Sequence, residues 1–303
     1  NTWACSVNKG GFDITKLSDY VQQCGTMCNF SGSGSWVILS PIEQSIKHKI
    51  EAVGTPLKDW DVQINYGIKT GYNEAFIIDT AKREEILAGC QSEDERQRTA
   101  ELIRPILRGR DIKRYGYEWA NLWLIATHNG IKGKLERIDI EDYPAVKAHL
   151  DQFWDKIKDR ADQGDTPYNL RNCAYWEDFS KPKIVWGNLA RSANYALVEV
   201  DYFVNAPSPM IVPASKYLLS ILNSRLADFY IQLSGVTRSG GYYEYKPVFV
   251  EQLPVPVLQG SDPFLLKLEG MVDSLDWQAI DRCVFDLYGL SEDEREYFNP
   301  CSK

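Results

Sequence analysis

The chain has 303 residues, of which 44% are hydrophobic and 25% charged, the balance of an ordinary folded protein rather than a disordered one. No stretch approaches the ~18 to 20 uninterrupted apolar residues of a spanning helix, and the first residues (NTWACSVNKGG) lack the layout of a secretory signal, so a cytoplasmic protein with no membrane partner is expected. A net charge of −8 disfavours indiscriminate attraction to phosphate, so any contact with a polyanion must rest on local patches.

Residues 1–34 read as an irregular lead-in ending in the tract FSGSGS, and the start at Asn1 without methionine suggests a piece of a longer polypeptide, or a removed leader. Phe30, Gly32 and Gly34 spell F-x-G-x-G, a pattern that cradles S-adenosylmethionine when it follows a buried strand. Here polar residues precede it and a strand, Trp36 to Leu39, follows, so a flexible joint is the better reading. The seven cysteines (Cys5, Cys24, Cys28, Cys90, Cys173, Cys283 and Cys301) cannot all pair. Cys24 and Cys28 have no second pair or nearby histidine to complete a zinc set, so free thiols and no metal are expected.

Ser40, Pro41 and Glu43 form a capping-box start, and Ile42, Ile46, Ile50 and Val53 make an apolar stripe that stops at Gly54. Asp61 to Asn65 alternates as a half-buried strand, Gly67 and Gly71 bracket a loop carrying Lys69, Thr70, Tyr72 and Asn73, and Ala75 to Ile78 returns as a second strand. Thr80 to Ile103 is helical with a solvated charged face, ended by Pro105. Ala120 to Thr127 predicts a buried strand and Asp142 to Ala161 a helix with a core stripe through Val146, Leu150 and Ile157. Gly164 to Ser180 is irregular, while Lys183 to Trp186 and Ala196 to Asn205 are strands. Ser215 to Leu233 reads as one long helix with a leucine stripe. After a Gly- and Tyr-rich loop, the end is a helical pair, Asp262 to Ser274 and Asp276 to Tyr288, with Trp277, Ile280, Val284 and Leu287 inward, Gly289 as stop, and Ser291 and Glu294 capping a last turn. Short strands between long helices define an α+β protein.

Positive charge concentrates between Arg104 and Arg114, where Arg104, Arg108, Arg110, Lys113 and Arg114 face one Asp111. These suit phosphate contact, or some of them pair with Asp111 and neighbouring acids to pin the chain. On the 69–73 loop, Asn73 matches adenine and Lys69 guanine or phosphate, or the loop merely satisfies turn geometry. Arg238, Tyr242, Tyr243, Tyr245 and Lys246 combine cation and stacking surface beside two glycines. Arg191 and Asn194 lie between two strands. His48, His128 and His149 are scattered and support no catalytic set.

The blocks GIKTGYNEAFIID, LIRPILRGRDIKRY, KPKIVWGNLA, SKYLLSILNSRLADFYIQ running through GGYYEYK to VEQLPVP, and IDRCVFDLYGLSEDE resemble, in this order from about Trp36 to the end, the TaqI-like C-terminal specificity domain. That domain is the target-recognition part of adenine-specific DNA methyltransferases, including type IIG restriction and modification enzymes. The resemblance implies an irregular, double-β-helix-like β-rich part with long packed helices and a C-terminal helical hairpin, which divides the chain into a lead-in at 1–34, a recognition domain at 35–258 and the hairpin at 259–303. It also implies double-stranded DNA as partner and a methyltransferase domain, upstream or in a partner chain, that carries an N-P-P-Y type motif and uses S-adenosylmethionine, with magnesium if the parent also cleaves. The one Asn-Pro here is Asn299–Pro300, followed by Cys301, so no methylation site belongs to this chain. Asp111-x-Lys113 and Glu244-x-Lys246 fit half of a nuclease motif, but no Pro-Asp dipeptide completes it. The competing expectation is a carbohydrate-binding module, since nine Trp and seventeen Tyr in an acidic protein offer stacking platforms.

Overall fold

The structure is a computed structural model that describes residues 2–5, 14–28, 38–199 and 201–299; the Phe30 glycine tract, Trp36 and Cys301 lie outside the described residues. Helix α1 (Pro41–Val53) begins as expected, with the Ser40 side chain accepting from the Glu43 N–H while Glu43 closes the box on the Ser40 N–H, and it buries Ile46 and Ile50. Strand β1 (Gln63–Tyr66) follows, then β2 (Ile77–Asp79), β3 (Ile103–Leu107), β4 (Leu122–Ile125), β5 (Lys183–Trp186), β6 (Tyr195–Val198), β7 (Phe203–Val204) and β8 (Pro209–Val212). Near the end come helices α2 (Lys216–Leu222), α3 (Arg225–Ser234), α4 (Pro263–Ser274) and α5 (Trp277–Leu287).

The organising element is an antiparallel sheet in the order β6-β5-β8-β1. Its register aligns Leu197, Ile184, Ile211 and Ile64 in one row across all four strands. That row faces the helices. With Trp186 and Tyr195 it forms a core with Ile46 and Ile50 of α1, the leucines of α2 and α3, and Leu268, Ile280 and Val284 of the C-terminal pair. One residue along, Val185, Ala196 and Met210 point the other way, into a second core built on Phe76, Ile106, Leu124, Leu150 and Phe203. Because side chains alternate across a strand, a sheet covered on both faces has continuous apolar strands, which is why Lys183–Trp186 is buried throughout. Within that second core a further sheet, β7-β3-β4-β2, has β7 parallel to β3 and the other pairs antiparallel.

The lead-in expected to be irregular contains a helix, Leu17–Cys24, and a strand pair, Thr2–Ala4 with Thr26–Cys28. Several expected elements divide. Ala75 to Ile78 does not return beside β1: Asn73–Phe76 is a helical turn, and β2 pairs with β4 in the other sheet. The chain is drawn away because Gly67 and Ile68 bond to the 204–208 segment, the Gly67 N–H to the Ser208 carbonyl at 2.8 Å and the Ile68 N–H to the Val204 carbonyl at 2.7 Å. The Thr80 to Ile103 helix is two, Thr80–Ala88 and Glu93–Leu102, since Ser92 caps a new start, and Pro105 lies inside β3. The 142–161 helix is Pro144–Asp151 plus a turn at Trp154–Ile157. The strand expected over 196–205 breaks into β6 and β7.

Ser215 to Leu233 is broken at Asn223, whose side chain accepts from the Tyr195 N–H at 3.0 Å and donates to the Tyr195 carbonyl at 2.9 Å, as a neighbouring strand would. Ser224 then caps α3. The C-terminal pair forms as expected, Gly289 stopping it at φ 66° and Ser291 and Glu294 closing the last box. Trp277 is not inward. It is 43% exposed and stacks on Tyr115, with ring centroids 6.0 Å apart, because the first turn of α5 overhangs the core. Cys5, Cys90, Cys173 and Cys283 are free thiols.

Candidate nucleic-acid interface

The loop at 67–73 is fixed from both sides. Gly67 is a glycine because a Cβ there would collide with the Val204 carbonyl, and Gly71 because its φ is 71°. The Thr70 hydroxyl, buried, donates to Asn73 Oδ1 at 2.6 Å, and Tyr72 leans on Phe153. Lys69 is exposed, and among the described residues its ammonium meets no acceptor. It borders an open hollow of about 540 Å³ lined also by Asn73, Glu74, Asp162, Asn205 and Pro207.

The basic run does not form one patch. Arg104, in β3, pairs with Asp201. Arg108 is locked to Asp111 by two parallel bonds, Nε to Oδ2 at 3.0 Å and Nη2 to Oδ1 at 2.8 Å, and the hydrogen bond to this buried carboxylate pushes its pKa up. Lys113 Nζ donates to the Arg110 carbonyl at 3.0 Å and lies 3.7 Å from Glu118. Arg114 is turned to the opposite side, donating to the Asn223 carbonyl at 2.6 Å with its guanidinium 5.0 Å from the Trp277 ring centroid. Arg110 alone in the run is exposed with no side-chain partner among the described residues.

The Gly- and Tyr-rich loop is a hairpin, Thr237–Arg238 against Tyr242–Glu244, that adds Leu189–Ala190 as a third strand. Glu244, buried, receives Arg238 Nε at 2.7 Å and Lys246 Nζ at 2.6 Å, and the two cations, Lys246 foremost, hold its carboxyl below the ordinary range. Two cations on one carboxylate leave the hairpin with a surplus of one positive charge. Arg191 lies over the Tyr242 ring at 5.2 Å, and Asn194 is half-buried where β6 begins. Tyr243 packs against the helical core, and Tyr245 is core, its hydroxyl donating to Asp228 at 2.5 Å.

These pieces are neighbours through the backbone. The Asn205 N–H bonds the Leu107 carbonyl at 2.8 Å and the Ala206 N–H bonds the Ile68 carbonyl at 3.0 Å, so the segment 204–208 lies between the Lys69 loop and the Arg108–Arg110 turn. A Cβ on Gly109 would lie 2.9 Å from Ser208 Oγ and 3.5 Å from Gly187 Cα, and Gly187 leads to Asn188, whose carbonyl takes the Tyr245 N–H at 2.9 Å. Lys69, Arg110 and the Arg238–Lys246 hairpin thus belong to one run of adjoining loops at one end of the central sheet. Arg104 and Arg114 are spent elsewhere.

Arg160 and Asp228, which no local pattern marks, and His149, legible only as one of three scattered histidines, exchange hydrogen bonds with groups far along the chain. Much of the aromatic content goes into ring packing, with Trp119 against Trp123, Trp176 against Phe203 and Trp186 against Tyr195. The exposed tryptophans among the described residues are Trp3, Trp154 and Trp277, in separate parts of the chain.

Residues 104–255 match the family model of the TaqI-like C-terminal specificity domain, and the chain belongs to that family. It is 20% identical over 297 residues to the type II methyltransferase M.XhoI of Xanthomonas vasicola, covering 94% of this chain and 50% of that protein. It is likewise 20% identical over 276 residues to the type II methyltransferase M.PaeR7I of Pseudomonas aeruginosa, covering 88% of this chain and 45% of that protein. The chain therefore spans about half the length of these relatives. Its fold resembles part of the type IIL restriction-modification enzyme MmeI, solved in complex with DNA (TM-score 0.56, 14% identity, 80% of this chain and 35% of that one). It also resembles part of the type IIG restriction endonuclease BpuSI (TM-score 0.50, 14% identity, 91% and 35%). Among the described residues no helix is long and apolar enough to cross a membrane, and no group of three or more His, Cys, Asp or Glu is placed to hold a metal ion.

Proposed function

We propose that this chain is the DNA target-recognition part of a type II restriction-modification enzyme, acting in the cytoplasm to place an adenine-N6 methyltransferase domain on its site. The observation that carries the reading is the juxtaposition of Lys69, Arg110 and the Arg238–Lys246 hairpin on adjoining loops, two of these cations lacking any protein partner among the described residues. Loops on a rigid two-sided sheet are where recognition groups are placed to advantage, phosphates held by cations and base edges read by side chains such as Asn73. The binding of MmeI to DNA and the membership of the family support the same reading.

On this account residues 1–34 lead in from the methyltransferase half, 35–258 read DNA through their short-stranded, double-β-helix-like part, and 259–303 buttress it. S-adenosylmethionine, and magnesium if the parent cleaves, belong to the other half of the enzyme. The test is selection of duplexes from a randomised pool by this chain, repeated at low and physiological salt. Enrichment of one sequence that survives added salt is the expected result; uniform retention, or none, contradicts the reading.

A further inference from the structure

Arg160 is buried, 6% exposed, yet it forms no ion pair among the described residues. Its guanidinium instead serves four backbone carbonyls: Nε donates to Thr70 at 2.8 Å, Nη1 to Ile157 at 3.3 Å and to Pro167, and Nη2 to Asn169. One face covers the Phe76 ring at 4.4 Å. Such an arrangement suits arginine alone, whose planar fork points several donors in fixed directions, whereas a lysine has three donors on one atom and cannot reach carbonyls spread around it. Burial lowers the pKa only to about 10, so the charge persists at neutral pH.

The four carbonyls belong to different parts of the chain. Asn169 and Pro167 lie in a turn locked to the frame: the Leu170 N–H bonds the Thr127 carbonyl at 2.8 Å, the Thr127 hydroxyl bonds the Tyr168 carbonyl at 2.7 Å, and the buried Asn169 amide bonds the Ile138 carbonyl at 2.9 Å. Thr70 lies in the loop that presents Lys69. Gly71 fits the same contact, for a Cβ there would lie 3.0 Å from Arg160 Cδ. Arg160 is therefore the bolt between the frame that ends β4 and the exposed loop.

We propose that Arg160 is a positioning residue for target recognition, holding the Lys69–Asn73 loop in the one geometry in which it meets the target, without itself touching DNA. The proposal rests on the DNA-recognition reading. Arg160→Lys keeps the charge and leaves buried carbonyls unpaired. The expected result is amide hydrogen exchange across 69–73 at least tenfold faster, the ratio of specific to non-specific affinity at least tenfold lower, and the salt dependence of non-specific binding as in the wild type. Lys69→Ala should behave oppositely, lowering the salt slope by about one while loop exchange stays unchanged.

A salt slope that falls in Arg160→Lys as in Lys69→Ala would make Arg160 a phosphate contact, and unchanged selectivity and loop exchange would make it an ordinary core residue; either overturns the proposal. Should Arg160→Lys fail to fold, Gly71→Ala disturbs the same contact from the loop side, with the same loss of selectivity expected and its retention contradicting the proposal. A wild-type chain that binds no DNA selectively would sink the functional reading, while loop exchange in Arg160→Lys would still judge the role of Arg160.

Discussion

On the helical side of the central sheet several cations are built into the fold, although Lys267 and Arg282 there are exposed with no hydrogen-bond or ion-pair partner among the described residues. Arg114 lies against Trp277 and the Asn223 carbonyl, Arg225 meets Asp281 at 3.1 Å, and Lys49 meets Glu294 at 2.6 Å. On the loop side Lys69 and Arg110, equally basic in the sequence, meet no protein acceptor among the described residues. The difference is between charge spent on holding helices together and charge left free for a partner. On the proposed reading it also reconciles DNA binding with a net charge of −8, since what counts there is the number of unneutralised cations on one surface rather than the sum.

That contrast can be broken from either side. The largest effect is expected at a spent cation: Arg114→Met loses a charged hydrogen bond and the contact with Trp277, and should cost about 2 kcal/mol of stability by denaturant titration. DNA affinity of the folded variant should not change. Substituting the free cations does the reverse. Lys69→Ala and Arg110→Ala should each lower the salt slope of duplex binding by about one, read by fluorescence anisotropy, and move stability by less than about 0.5 kcal/mol.

Acidity sharpens the comparison next. Burial lowers the pKa of both His128 and His149, the latter hydrogen-bonded to the Ala75 carbonyl at 3.0 Å just beyond the 69–73 loop. A histidine that resists protonation only when folded leaves the unfolded chain holding more protons below about pH 6.5, so stability is full above that pH and declines as pH falls through the folded values. Unfolding free energies at pH 7.5, 6 and 5 should show the decline, and it should flatten in His149→Gln. Glu294 acts lower: although burial opposes ionisation, Lys49, the Ser291 N–H and Ser45 hold its carboxyl at about 2, so the stability it contributes is present above the ordinary carboxylate range and lost as pH falls towards 2. The smallest effect belongs to exposed pairs: Lys134→Ala, which frees Glu177, should change stability by no more than about 0.5 kcal/mol.

Local chemistry made much of the fold legible. The capping boxes at Ser40 and Ser291, the apolar run at 183–186 and the C-terminal helical pair are written in adjacent residues, and the structure has them where they were expected. What could not be read depends on distant partners. The leucine stripe of 215–233 continues through Asn223 without interruption, and the break exists because a side chain bonds Tyr195, twenty-eight positions away. Likewise Gly67 and Ile68 carry no sign that they will lie against Val204 and Asn205. The candidate site suffers most, because whether a cation is free depends on acids elsewhere: Arg104 is spent on Asp201 and Arg110 is not. Arg160 was invisible for a related reason, since backbone carbonyls are available to every sequence and leave no motif.

The central claim is that position, not basicity, decides which cations meet DNA, and duplex binding measured against salt tests it most directly. Two double variants remove the same formal charge: Lys69→Ala with Arg110→Ala, and Arg104→Ala with Arg114→Ala. The account predicts that the first lowers the salt slope by about two and the second leaves it at the wild-type value. Equal losses in both, or a loss in the second alone, would contradict it.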